Sequence, residues 1–166
     1  PASAGGMTLL STTTLSGAST TITTDFTGYP SAYITIREID LSGNDGVGIK
    51  INNSAITTYM AGVYQVGGIP TTFAEDNGDL QFNNGANMSE TQTDNAAFLV
   101  IDDPSNTTHW KPFRFSSIWG SSTPQTNALN GGGGFGTTSA ITSIVLAPFT
   151  GGITFSGGTV KVYGVK

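Results

Sequence analysis

The chain of 166 residues is long enough for one hydrophobic core of ordinary size. Only 10% of its residues are charged, 6 Lys+Arg against 11 Asp+Glu for a net charge of −5, which leaves no basic stripe for phosphates and argues against nucleic-acid binding. There is no cysteine and a single histidine, so disulfides, thiol nucleophiles, cysteine-ligated metals and sites needing two imidazoles are excluded.

Residues Pro1 to Gly6 are small and lack the basic and apolar regions of a signal peptide. They read as a linker or N-terminal arm, with residues 7–166 as a single domain. Met7 to Leu15 and Thr20 to Phe26 are rich in threonine, whose branched side chain suits a pleated strand, and Ser16-Gly17-Ala18 separates them. Tyr33 to Leu41 is the longest clear strand. Strict alternation places Tyr33, Thr35, Arg37, Ile39 and Leu41 on one face and Ile34, Ile36, Glu38 and Asp40 on the other. Gly43-Asn44-Asp45-Gly46 carries the Asp-Gly signal of a hairpin turn, and Val47, Ile49 and Ile51 alternate in the strand expected to return from it.

Thr57 to Val66 is a further strand candidate, whereas Pro70 to Asn95 is polar and turn-rich. Ala96 to Ile101 is a continuous apolar run, the pattern of a strand buried on both faces. From Trp110 to Ile118, Phe113, Phe115 and Lys111 fall on one side and Pro112, Arg114 and Ser116 on the other. Gly120 to Thr138, with its run of four glycines at 131–134, is expected to form a long exposed loop. Ile141 to Leu146 and Thr159 to Val165 close the chain as strands, and Gly164 implies a bulge or a close backbone approach. Helical periodicity is nearly absent, no apolar run approaches a membrane span, and no repeat is visible. Eight to ten strands in one domain predict an all-β, single-domain antiparallel β-sandwich that is jelly-roll-like.

Both ends of the chain resemble one family. The opening Gly5-Gly6-Met7-Thr8-Leu9-Leu10-Ser11-Thr12-Thr13-Thr14-Leu15-Ser16-Gly17 is similar to the start of a module of tailed-bacteriophage virion proteins, found in fibres and other appendages. Gly131 to Phe135, Ser139-Ala140-Ile141-Thr142-Ser143-Ile144 and the closing Ser156 to Lys166, ending Tyr163-Gly164-Val165-Lys166, resemble its end. The stretch from Ile56 to Ser117 carries little of the likeness. The resemblance implies a jelly-roll-like sandwich on the exterior of a phage particle, assembled as a homotrimer at a fibre tip or on a capsid. Its partners would be copies of itself, other virion proteins and a host surface glycan or outer-surface protein.

The residues offer little for catalysis. His109 has Asp102 and Asp103 nearby in sequence, but no serine stands in a Gly-x-Ser-x-Gly context. Glu75, Asp76 and Asp79 form an acidic cluster in a presumed turn, a weak calcium candidate beside Asp102-Asp103, although the spacing is not that of an EF-hand. The glycine run lacks the Lys-Ser/Thr of a phosphate loop. No cofactor or metal is therefore expected, and the chain reads as non-enzymatic. Recognition is assigned instead to aromatic and amide side chains. Trp119, Trp110 with His109, and the glycine-rich segment with Asn127, Asn130 and Phe135 are the ligand-contact candidates, because aromatic rings match the apolar faces of sugars while amides bond hydroxyls.

Overall fold

A computed structural model describes residues 6–54, 58–66, 69–77, 80–83, 88–89, 95–120 and 126–166, with only the backbone path of 58–66 and 69–77. The described residues contain twelve strands: β1 (Met7–Thr14), β2 (Thr20–Thr23), β3 (Ser31–Leu41), β4 (Val47–Ile51), β5 (Thr58–Val66), β6 (Ile69–Asn77), β7 (Leu80–Gln81), β8 (Asn95–Asp102), β9 (Lys111–Gly120), β10 (Thr126–Phe135), β11 (Ser143–Pro148) and β12 (Phe155–Val165). They form two antiparallel sheets. The larger runs β1-β12-β3-β8-β9-β10-β5-β6 and the smaller β2-β11-β4-β7.

The pairings define the topology. β1 pairs with β12, β2 with β11, β3 with β8 and β4 with β7, all antiparallel. The chain thus runs as one long antiparallel ribbon whose successive pairs fall alternately into the two sheets, which is the jelly roll. Two hairpins extend it: β5–β6 lies between β4 and β7 in sequence, β9–β10 between β8 and β11, and both join the larger sheet.

The core lies between the sheets. Ile34 and Ile36 of β3, Leu99 and Ile101 of β8, Phe113 and Phe115 of β9, and Val160 and Val162 of β12 meet Ile22, Ile49, Ile51, Ile144 and Leu146 of the smaller sheet. Phe113 stacks against Phe135 with ring centroids 4.6 Å apart.

Four local expectations change. First, Gly43–Gly46 does not turn a hairpin: β3 and β4 belong to different sheets, and the segment crosses between them. Buried Asp45 holds the crossing by accepting hydrogen bonds from Thr150 N (2.7 Å) and Thr150 Oγ1 (3.0 Å). Gly46 is needed for space, since a Cβ there would stand 2.4 Å from the Phe149 ring. Second, β3 does not keep one alternation. Glu38 adopts φ 56 and the register with β8 shifts between Ile36 and Ile39, so both isoleucines face the core.

Third, Gly131–Gly134 is no loop. These residues are the middle of β10, hydrogen-bonded to β9 on one side and β5 on the other. Their backbone groups are satisfied by that double pairing, and a Cβ on Gly132 would approach Phe113 O to 3.0 Å. Fourth, the start of the presumed turn-rich stretch, from Pro70 onward, belongs to strand β6 (Ile69–Asn77).

The close approach expected at Gly164 is present. A Cβ there would lie 2.4 Å from Cγ of Tyr29, whose ring packs over β12 and beneath the Lys166 ammonium, 5.7 Å from the centroid. Gly164→Ala is expected to lower unfolding stability by about 1–3 kcal/mol through overpacking. The denaturant midpoint reads this, and a Tyr29→Ala background should remove most of the loss because the two positions share one contact.

Candidate functional site

Each strand of the larger sheet has a second face, directed away from the core. With Ala32, Ile34 and Ile36, Ala97, Leu99 and Ile101, Phe113 and Phe115, and Val160 and Val162 pointing inward, their sequence neighbours point outward. The ladder aligns these neighbours in rows. One row places Leu9, Tyr163, Tyr33, Val100 and Arg114 side by side across β1, β12, β3, β8 and β9. The next places Thr12, Lys161, Thr35, Phe98, Ser116 and Asn130 side by side, reaching β10.

Three rings form a strip across this face. Tyr33 lies 6.3 Å from Tyr163 and 5.9 Å from Phe98, both pairs tilted. Two open hollows adjoin it. One, of about 350 Å³, is lined by Thr35, Arg37, Glu38, Thr159, Lys161 and Tyr163. The other, of about 240 Å³, includes Tyr33, Thr35, Arg37, Phe98, Ser116 and Ile118 in its lining. The face combines flat apolar surface with hydroxyls and a few charges, a mixture suited to a ligand with apolar patches and many hydroxyl groups. The continuous apolar run of β8 explains part of it. Ala97, Leu99 and Ile101 are buried as expected, but Phe98 remains 38% exposed, so the strand is covered on one side only.

The ligand-contact residues expected from the sequence divide. Asn130 is exposed and lies in the second row, two strands from Phe98. Trp119, Phe135 and Asn127 are corrected: their exposures are 1%, 0% and 1%, and they pack inside the sandwich instead of meeting a ligand. Alternation accounts for this, because Trp119 shares its face of β9 with Phe113 and Phe115. Trp110, 53% exposed, and His109 are on the surface, in the turn before β9. They are far from Asn130: its partner Ser116 stands six residues beyond Trp110, about 20 Å along a strand.

The turn at His109 is held by its own polar groups. Asn106 Oδ1 accepts from the N–H groups of Thr108 (2.6 Å) and His109 (3.1 Å), and His109 Nε2 lies 3.3 Å from Asp103 Oδ2. Thr108 Oγ1 also approaches His109 Nδ1, at 3.4 Å, but it is closer to Asn106 Oδ1, to which it donates at 3.0 Å. The array therefore locks a turn and directs the hydroxyl proton away from the imidazole. Of the acidic cluster, Glu75 and Asp76 stand in strand β6, not in the expected turn, and Asp79 lies outside the described residues. Among the described residues no group of three or more His, Cys, Asp or Glu is placed to hold a metal ion. No described helix is long and apolar enough to cross a membrane.

Lys111, the next residue, is fully buried. Its ammonium donates to His109 O (2.8 Å) and Thr137 O (3.3 Å), tying the turn to the end of β10. Burial pushes its pKa below the ordinary 10.5, and the charge of Asp103 opposes that only in part. The folded state thus binds this proton less tightly than the unfolded state. The resulting loss of stability is full below the folded pKa and shrinks as pH rises through it towards 10.5. Urea midpoints measured across that alkaline window should rise for the native protein relative to Lys111→Met, which has no proton to lose there.

Compared with family models, with curated proteins and with solved structures, the chain finds no match. The chemistry of the site is that of an aromatic strip on an open sheet face, flanked by hydroxyls, an amide and a few charges.

Proposed function

We propose that the protein is a non-enzymatic module of a tailed-bacteriophage virion, at a fibre tip, which adheres to the host surface through a glycan or an outer-surface protein and acts as a homotrimer. The observation that carries this reading is the strip of Tyr163, Tyr33 and Phe98 beside two open hollows on the outer face of the larger sheet. Rings held on three adjacent strands offer stacking surfaces to successive sugars, and Thr35, Thr159, Ser116 and Asn130 stand where hydroxyl partners are needed. Because the ladder fixes the backbone beneath these side chains, no loop has to be ordered for binding.

The resemblance at the two ends adds support. The opening and closing segments that carry it are hydrogen-bonded neighbours, β1 against β12, so they form one structural unit. Homotrimers suit weak individual sites, since tethered copies raise effective concentration without new contacts. A second reading, a capsid decoration protein, draws on β1 itself. This uncharged edge strand of eight residues exposes Met7 and Leu9, and an open edge of that kind is a ready template for pairing with another chain.

Binding of the purified protein to a panel of neutral and acidic bacterial polysaccharides tests the first reading. Tyr33→Ala and Phe98→Ala should each weaken binding about tenfold, ~1.4 kcal/mol, without loss of fold. Light scattering should give three times the 17.1 kDa chain mass. A strictly monomeric species that binds no polysaccharide and no cell surface overturns the adhesion reading. Dense labelling of the capsid instead of the tail by specific antibodies would favour decoration.

A further inference from the structure

The charges of the outer face narrow the ligand. The chain has six basic side chains, and four of them are engaged. Lys111 is buried against two carbonyls, Arg114 faces Asp102 at 3.6 Å, Lys166 lies over the Tyr29 ring, and Lys50 has an interaction partner. Arg37 and Lys161 are the exceptions. Among the described residues neither has a carboxylate within ion-pair distance, and both are exposed in the larger hollow beside Tyr163.

Their placement follows from the register. Arg37 sits opposite Thr159, and Lys161 opposite Thr35, so the two cations are diagonal neighbours on adjacent strands. Such positions are about 7–8 Å apart, close enough for two long side chains to converge on a single anionic group. Left alone, the two cations repel one another. An anion between them removes that repulsion and replaces it with charge-assisted hydrogen bonds. The bulge sharpens the arrangement. Because Glu38 adopts φ 56, Arg37 and Glu38 are consecutive exposed residues, and the Glu38 carboxylate lines the same hollow. That carboxylate is an acceptor for sugar hydroxyls and a partial brake on anion affinity.

We propose that the hollow formed by Arg37, Lys161, Thr35, Thr159, Tyr163 and Glu38 takes an acidic saccharide, with its carboxylate or ester-linked anion between Arg37 and Lys161 and its ring against Tyr163. This rests on the glycan-adhesion reading and specifies the ligand class. On a protein of net charge −5, a local cation pair is what allows an anionic polymer to dock at all.

The test measures equilibrium binding of the intact protein to immobilised polygalacturonate, dextran sulfate, neutral dextran and neutral mannan. Binding to one or both polyanions, weakening as salt is raised, is the expected result, since exposed charge pairs are screened. Polygalacturonate and dextran sulfate distinguish a carboxylate from a sulfate as the recognised group. Arg37→Ala and Lys161→Ala should each reduce polyanion binding by about tenfold, whereas Glu38→Gln should tighten it about twofold by removing a like charge. Both basic residues are exposed, and melting curves of the variants confirm folding. Retention of neutral polysaccharide with no preference for polyanions, or polyanion binding insensitive to both basic substitutions, overturns the acidic-ligand inference and leaves adhesion standing. Binding to none of the four polymers overturns the inference too, and adhesion falls with it if the wider polysaccharide panel and cell surfaces are also not bound.

Discussion

Glu38 and Gly158 lie against each other on neighbouring strands, both with positive φ, 56 and 126. A Cβ on Gly158 would stand 3.1 Å from Glu38 O and 2.8 Å from Leu15 Cδ1, so glycine is required where the two irregular backbones meet. The carbonyl of Gly158 accepts from Leu15 N at 2.9 Å, tying the end of β1 into the same knot. From this contact come two results. β3 reverses its phase, which sends Ile39 and Leu41 into the core with Ile34 and Ile36. Arg37 and Glu38 are left outward together, forming the rim of the larger hollow. Core filling and surface chemistry therefore depend on the same backbone irregularity.

The ribbon that builds the jelly roll also explains where the site lies. β12 inserts between β1 and β3, and β8 flanks β3 on the other side, so this half of the larger sheet is assembled from segments far apart in sequence. On such a surface the spacing of side chains is set by the hydrogen-bond ladder, not by loop conformation. Tyr163, Tyr33 and Phe98 come from three strands yet hold centroid separations near 6 Å. For the proposed ligand, a surface whose spacing is set by the backbone ladder leaves less to be ordered on binding.

How much of this was legible in the sequence differs by residue. The alternation of β9 correctly set Phe113, Phe115 and Lys111 apart from Arg114 and Ser116, since a period of two belongs to the strand itself. Tyr33, Thr35 and Arg37 were likewise visible as one face of β3. The strip that this face completes was not, because its partners Lys161, Tyr163 and Phe98 lie more than sixty residues away in sequence and join it only through register. Trp119 misled for the converse reason. Its composition suggests a recognition platform, but its parity with Phe113 and Phe115 places it inside. The glycine run misled because glycine is common both in loops and wherever backbones crowd, and only the double pairing of β10 separates the two cases.

By itself the sequence determined the all-β class, the layered sandwich and most strand positions, because hydrophobic alternation and turn residues act over a few neighbours. The tertiary structure alone decided the crossing at Asp45, which a local Asp-Gly signal presents as a hairpin but a buried carboxylate bonded to Thr150 turns into a passage between sheets. It alone decided the bulge at Glu38, where no glycine marks the positive φ. It alone brought Arg37 diagonal to Lys161, because strand register is a property of the paired sheet and is written in neither strand separately.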